Sequence, residues 1–272
     1  MRGIALVTLF TVVAANAATL DPITEKAWDQ YVDSATRHME HRLAAGNCFL
    51  WVDESPERLA RVKAGEIVVS PAEHRNPVPV PSGLIHDWLG AVFIPNVSIP
   101  QVLKVVRDYS HYADLYQPDV ADSRALSRGD LADGEAQDRF SMTLINKALS
   151  FRTAVEADYE MRYIRVDDRR MFSIARTTRV QEVEGLGSPD QRLLPVGTGR
   201  GIIWRMFDIT RYMERDGGVY VEFEALALSR DIPGSIRWFV DPLVRRIAKN
   251  SLAASLRDTE NAVRTRAELA HR

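Results

Sequence analysis

The sequence predicts an α+β domain: a curved antiparallel β-sheet wrapped around one long C-terminal helix, with an extra helix at the N-terminal end. Three observations predict it. From Val120 to Leu228 the chain is a series of runs rich in β-branched and aromatic residues, separated by short turn signals, which is the pattern of an antiparallel meander. After it, Ile247, Leu252, Leu256, Thr259 and Val263 recur at roughly helical spacing. A sheet with one apolar face must bury that face, and this terminal helix is the only element large enough to cover it. A sheet that bends around a helix without touching it everywhere leaves a hollow, and such a hollow is a ligand site by default.

Taken in order, residues 1–17 read as a secretory signal peptide rather than as structure. MRGIALVTLFTVVAANA has a basic Arg2, an apolar run from Ile4 to Ala15, and an A-x-A pattern at Ala15-Asn16-Ala17. The run is short of the ~20 apolar residues that a membrane span needs. The remainder is therefore expected to be exported, to a periplasm or beyond, with no span left after cleavage. Residues 18–65 form an N-terminal helical extension. In it Ala27, Tyr31, Ala35 and Met39 predict a helix over Ile23–Ala45, stopped by Gly46-Asn47. Cys48 to Val52 is strand-like and apolar, which predicts a buried, inert thiol, and Arg58 to Ala64 is polar.

The main domain is expected over residues 66–265. Glu66–Ser70 and Leu84–Ile94 read as strands, joined by the Pro-rich loop Asn76–Gly83. Ser98, Pro100 and Gln101 make a capping-box start for a helix carrying Val102, Val105, Val106, Tyr109 and Tyr112. The meander follows, its last hairpin marked by Asp216-Gly217-Gly218. Asp241-Pro242 reads as the N-cap and first residue of the terminal helix. The charged tail, residues 266–272, is expected to fray, as part of the last ten residues.

Composition removes several classes of function. The chain has 272 residues, 46% of them hydrophobic, and a net charge of -2, which argues against a dedicated nucleic-acid binder. A single cysteine, Cys48, leaves no internal disulfide framework and no Cys-based zinc site. His38 and His41 lie three apart on one helix face, without the spacing or third ligand of a zinc site. No metal and no cofactor is expected.

The order of elements resembles the helix-grip fold of the START / polyketide-cyclase-like (SRPBCC) superfamily. The most specific stretch is Gly217–Val263. It is similar to the tail of exported bacterial SRPBCC-like proteins of unassigned role, in which a VYVE strand leads into LSRDIP, a Trp, a Pro and a Ser-Leu helix. Val219–Glu222, Leu228–Pro233, Trp238, Pro242 and Ser251-Leu252 match this pattern, whereas Ser255 departs from it. Ile99–Ser123 is similar to the first helix and following strand of that family, and the likeness covers roughly Glu66–Val263. It implies a hydrophobic cavity for lipid-like or aromatic small molecules, and no catalytic residue carries over.

The candidate ligand-binding residues are Trp204, Tyr220, Glu222, Arg176, Tyr159 and Tyr163, all on runs of the meander. Glu222 and Glu224 share a strand face with Tyr220, opposite the apolar Val221, Phe223, Ala225 and Ala227. Either the carboxylates meet a ligand, or alternation turns the apolar face inward and leaves them solvated. Arg205, after Trp204, either anchors an anionic group or makes a cross-strand pair. Arg230 and Asp231 guard the mouth of the cavity or pin a corner. Gly197–Gly201, GTGRG, looks like a phosphate loop but precedes a strand, which predicts a flexible turn. The function expected is a monomeric exported protein that holds a hydrophobic or lipid-like small molecule. The alternatives are a cyclase- or hydrolase-type enzyme using Glu222 with Arg205 or Tyr220, and an envelope interaction protein with a collapsed cavity.

Overall fold

The computed structural model describes residues 18–148, 151–231 and 234–270, and the side chains of 146–152 and 232–241 are not described. The expected signal segment lies outside these residues. The elements in chain order are β1 (Ala18–Thr19), α1 (Pro22–Arg42), a 3₁₀ turn (Trp51–Glu54), α2 (Pro56–Lys63), β2 (Val68–Pro71), β3 (Val78–Val80) and β4 (Gly83–Pro95). Then come α3 (Ile99–Val106), α4 (Tyr112–Leu115), β5 (Val120–Ser127), β6 (Glu135–Ala148), β7 (Phe151–Arg165), β8 (Arg170–Glu184), β9 (Arg192–Leu193) and β10 (Thr198–Gly199). Two long strands, β11 (Arg205–Arg215) and β12 (Gly218–Arg230), lead to α5 (Gly234–Ala270).

The main sheet runs β2-β4-β12-β11-β8-β7-β6-β5, with β3 on β4 and β9 on β8, and its pairs are antiparallel. The hairpin turn at Asp216-Gly217 sets Arg215 opposite Gly218, with both turn residues at positive φ. That register places every later pair of β11 and β12. α5 lies across one face of this sheet, which is the expected helix-grip arrangement. Gly90 of β4 lies directly beneath α5. A Cβ there would lie 2.6 Å from Leu256 Cδ1 and 3.2 Å from Leu252.

Several local expectations are corrected. Cys48–Val52 is not a strand: the chain bends into the 3₁₀ turn, and Cys48 is exposed. The polar stretch after it is helix α2, capped by Ser55, which accepts from Arg58 N. The terminal helix does not start at Pro242. It starts at Gly234, and Pro242 lies inside it. Pro cannot donate an intrahelical hydrogen bond, yet the helix continues, because its downstream face is buried at Leu252, Leu256 and Val263. The tail is helical to Ala270, with Ala267 buried and Arg266 paired with Asp108.

Both faces of the sheet are covered along β4, β12 and β11. α5 and α3 cover the inner face, forming a core with Val92, Ile94, Val102 and Val221. The N-terminal extension covers the outer face, where Trp28, Met39, Leu50 and Val52 pack on Ile85, Leu89, Ile209 and Leu226. The outer face of β7 and β8 instead carries charged pairs such as Arg179 with Asp158 at 2.7 Å.

Candidate functional site

Between the inner face and α5 lies a cavity of about 660 Å³. Its floor comes from alternate residues of the central strands: Val221, Phe223, Ala225 and Ala227 of β12, and Met206, Asp208, Thr210 and Tyr212 of β11. Its roof is one stripe of α5, in which Val244, Ile247, Ser251, Ser255 and Thr259 recur every three or four residues, with Leu252 beside them. Aromatic and sulfur side chains from β6, β7 and α4 close the far wall. Phe140 stacks on Tyr159 at 4.8 Å and on Tyr109 at 4.3 Å.

Of the six expected ligand residues, Tyr159 and Tyr163 line this cavity. Their hydroxyls are occupied, however: Tyr159 donates to Met206 Sδ at 3.3 Å, and Tyr163 meets Tyr109 Oη at 3.0 Å. Trp204 lies elsewhere, in a smaller cleft of about 310 Å³ beside Thr24, Ser82 and Asp231. Arg176 is on the outer surface, opposite Glu160 and 3.3 Å from its carboxylate, because Ala175 before it takes the inward position.

Tyr220 and Glu222 are also off the cavity. They face outward, as alternation requires of the neighbours of Val221, but they are not solvated. Glu222 is 0% exposed. Its carboxylate accepts from Trp51 N and Val52 N at 2.8 Å each, and so caps a 3₁₀ turn whose own N-cap, Leu50, has no side-chain acceptor. Arg211, also buried, donates to Glu224, lies 3.9 Å from Glu222, and approaches Met39 Sδ at 3.1 Å. Tyr31 of α1 donates to Asp87 at 2.9 Å. Burial raises the Asp87 pKa to about 8 and also raises that of Glu222, against the pull of Arg211 and the two backbone N–H groups. Tyr220 packs on Phe93 and donates to Asp216 at 2.8 Å. These residues tie the extension to the sheet. Arg205 likewise pairs with Glu25 of α1.

The phosphate-like loop is an anion site whose anion is the protein's own. The carboxylate of Glu182 accepts from Arg200 N at 2.9 Å, Gly201 N at 2.8 Å and Ile202 N at 3.2 Å. Gly199, at φ +127, leaves room for it, since a Cβ there would meet Glu182 at 2.7 Å. The turn is therefore pinned, and Arg200, Gly201, Ile202 and Ile203 form part of the cavity wall.

Arg230, expected at the mouth, lines the cavity with Tyr159 and Tyr163, and further polar residues outside the expected set join them. His86 sits at the same end as this loop, 2.9 Å from Ser229 Oγ. Burial, with a smaller push from Arg245, lowers its pKa to about 4 and keeps the ring neutral. At the other end Ser251 donates to Asp119 at 3.1 Å and Tyr116 meets Thr259 at 3.0 Å. Between them is Asp208, whose pKa burial pushes up to about 8. Counting back from the hairpin turn sets Asp208 opposite Ala225, on the face already read as apolar and inward, so hairpin arithmetic could have found it. Among the described residues no His, Cys, Asp or Glu cluster is arranged to hold a metal ion, and no helix is long and apolar enough to cross a membrane.

No protein-family model matches the chain, and no curated protein matches it. Solved structures do. A STAR-related lipid transfer protein from Xanthomonas axonopodis is 19% identical, covering 72% of this chain and 98% of that one at a TM-score of 0.45. The Zhui aromatase/cyclase from a Streptomyces species is 12% identical, with coverage of 67% and 96% and a TM-score of 0.42. Human STARD10 is 8% identical, with coverage of 85% and 86% and a TM-score of 0.42. The helix-grip assignment itself rests on the sheet order and the position of α5 described above.

Proposed function

We propose that the chain is an exported binding protein that holds a hydrophobic or lipid-like small molecule between its sheet and α5. The observation that carries this reading is the cavity of about 660 Å³, whose walls are mainly Val, Phe, Met, Leu, Ile, Ala and Tyr side chains with polar groups set among them. Its volume lies within the ordinary range for small-molecule sites, and affinity would come from apolar area removed from water, at about 25 cal/mol per Å². Export rests on the residue pattern of the first seventeen positions alone.

The enzyme reading that used Glu222 with Arg205 or Tyr220 has no support in the geometry, since all three lie on the far side of the sheet from the cavity. The collapsed-cavity reading is at odds with the open volume. The test is binding of N-phenyl-1-naphthylamine, an uncharged apolar fluorophore, to the delipidated protein. Saturable enhancement is expected for the wild type. It should weaken at least tenfold in Ala225→Trp, which fills the floor between Asp208 and Trp88. Unchanged binding in a folded Ala225→Trp would end the reading.

A further inference from the structure

We infer that Asp208 is a ligand-recognition residue, and that the guest is an apolar molecule bearing an uncharged hydroxyl or carbonyl group. This deepens the proposed function and rests on the cavity being a binding site. Asp208 occupies a row of inward residues that runs Trp88–Ala225–Asp208–Ala175–Met161 across five adjacent strands. All five line the cavity. The residues on both sides of Asp208 are alanines, so nothing within the row crowds the carboxyl or reaches it.

Of the other polar groups of the cavity, His86 pairs with Ser229, Tyr116 with Thr259, Ser251 with Asp119, and Tyr159 with Met206, whereas the buried Trp88 Nε1 is a donor without a partner and Asp258 lies beside the charge of Arg257. Among the described residues Asp208 has no partner, neither hydrogen bond nor ion pair. The side chain is half-buried, on the wall of the cavity, and a carboxyl drawn into an apolar pocket without a protein partner is disfavoured, so an apolar residue would be the more stable choice at this position. The unmet hydrogen-bonding capacity is therefore directed at whatever fills the space.

The environment also selects the kind of group. With no cation beside it, the enclosed carboxyl holds its proton, and a protonated carboxyl both donates and accepts. A hydroxyl or carbonyl meets it without net charge entering the cavity. An ammonium would have to shed its own hydration and displace the proton of Asp208. A carboxylate would bring a second acid against the first.

A matched series tests this: dodecane, 1-dodecanol, dodecylamine and dodecanoate, each displacing N-phenyl-1-naphthylamine from the full chain. In the wild type, dodecanol should bind about three- to tenfold tighter than dodecane, the value of one net hydrogen bond. In Asp208→Leu the two should come within about twofold. Asp208→Asn, which keeps a donor and an acceptor, should retain the preference. A wild type that does not distinguish alcohol from alkane, or an Asp208→Leu variant that keeps the preference, would overturn the inference. A tenfold preference for the amine or the carboxylate that depends on Asp208 would overturn the uncharged class. Fluorophore that binds both proteins leaves the cavity reading intact in each of those cases, whereas fluorophore that binds neither removes that reading and this inference with it.

Discussion

The two faces of the central sheet solve opposite problems with the same strands. The inner face keeps space. Small residues such as Ala175, Ala225 and Ala227 are set along its floor, and α5 bridges above them. The outer face has been filled. There Arg211, Glu222, Glu224 and Asp87 are sealed beneath α1 and the 3₁₀ turn, with partners drawn from both layers. A filled polar layer fixes geometry, because each buried charge has few acceptable positions. A hollow apolar layer tolerates variation in what occupies it. The comparison assigns stability to the outer layer and binding to the inner one.

The largest effect that could break this division is expected from Arg211→Ala. It leaves Glu222 and Glu224 sealed without their counter-charge and should destabilise the fold by about 3–5 kcal/mol in urea titrations. Fluorophore binding by the fraction that stays folded should be unchanged, and a large loss of affinity at full folding would show that the layers are coupled. A second test sharpens the same point through pH. Because the folded pKa of Asp87 is raised to about 8 from an ordinary 3.8, the native state keeps a proton that the unfolded chain gives up. This contribution is present below about pH 4 and is lost as the pH rises toward 8. Asp87→Asn, which still accepts from Tyr31, should therefore flatten the fall in stability over that window. An identical slope in the variant would mean that Asp87 ionises normally. The smallest effect belongs to the open part of the outer face. Arg176→Ala breaks an exposed pair with Glu160 and should change stability by less than about 1 kcal/mol and binding not at all. A measurable loss of affinity would bring Arg176 back as a ligand residue.

The same comparison explains what could be read from the sequence. The meander and its hairpin turn were legible because β-branched alternation and Asp216-Gly217 are local signals. Alternation also identified Val221, Phe223, Ala225 and Ala227 as inward. It misled on Glu222 because a polar strand face is normally wet, and nothing local announces that the 3₁₀ turn at Trp51, 171 residues earlier, folds over it. On β11 both faces are covered, so Phe207 and Ile209 look as inward as Met206 and Tyr212, and Asp208 is hidden among them. Pro242 obscured the start of α5, since the signal that opens one helix can also be carried inside another. Glu182 was missed because its partners are backbone N–H groups, which leave no mark in the sequence.

The absence of a side chain at Gly90 bears on how α5 is held. Leu252 and Leu256 rest there against bare backbone, and Val263 and Ala267 continue the buried contact toward the C-terminal end. Val244, Ile247 and Ala248, nearer the other end, remain partly open. The helix is thus clamped like a cantilever, with the fulcrum at one missing methyl group, and its grip on the sheet slackens from Val263 back to Val244.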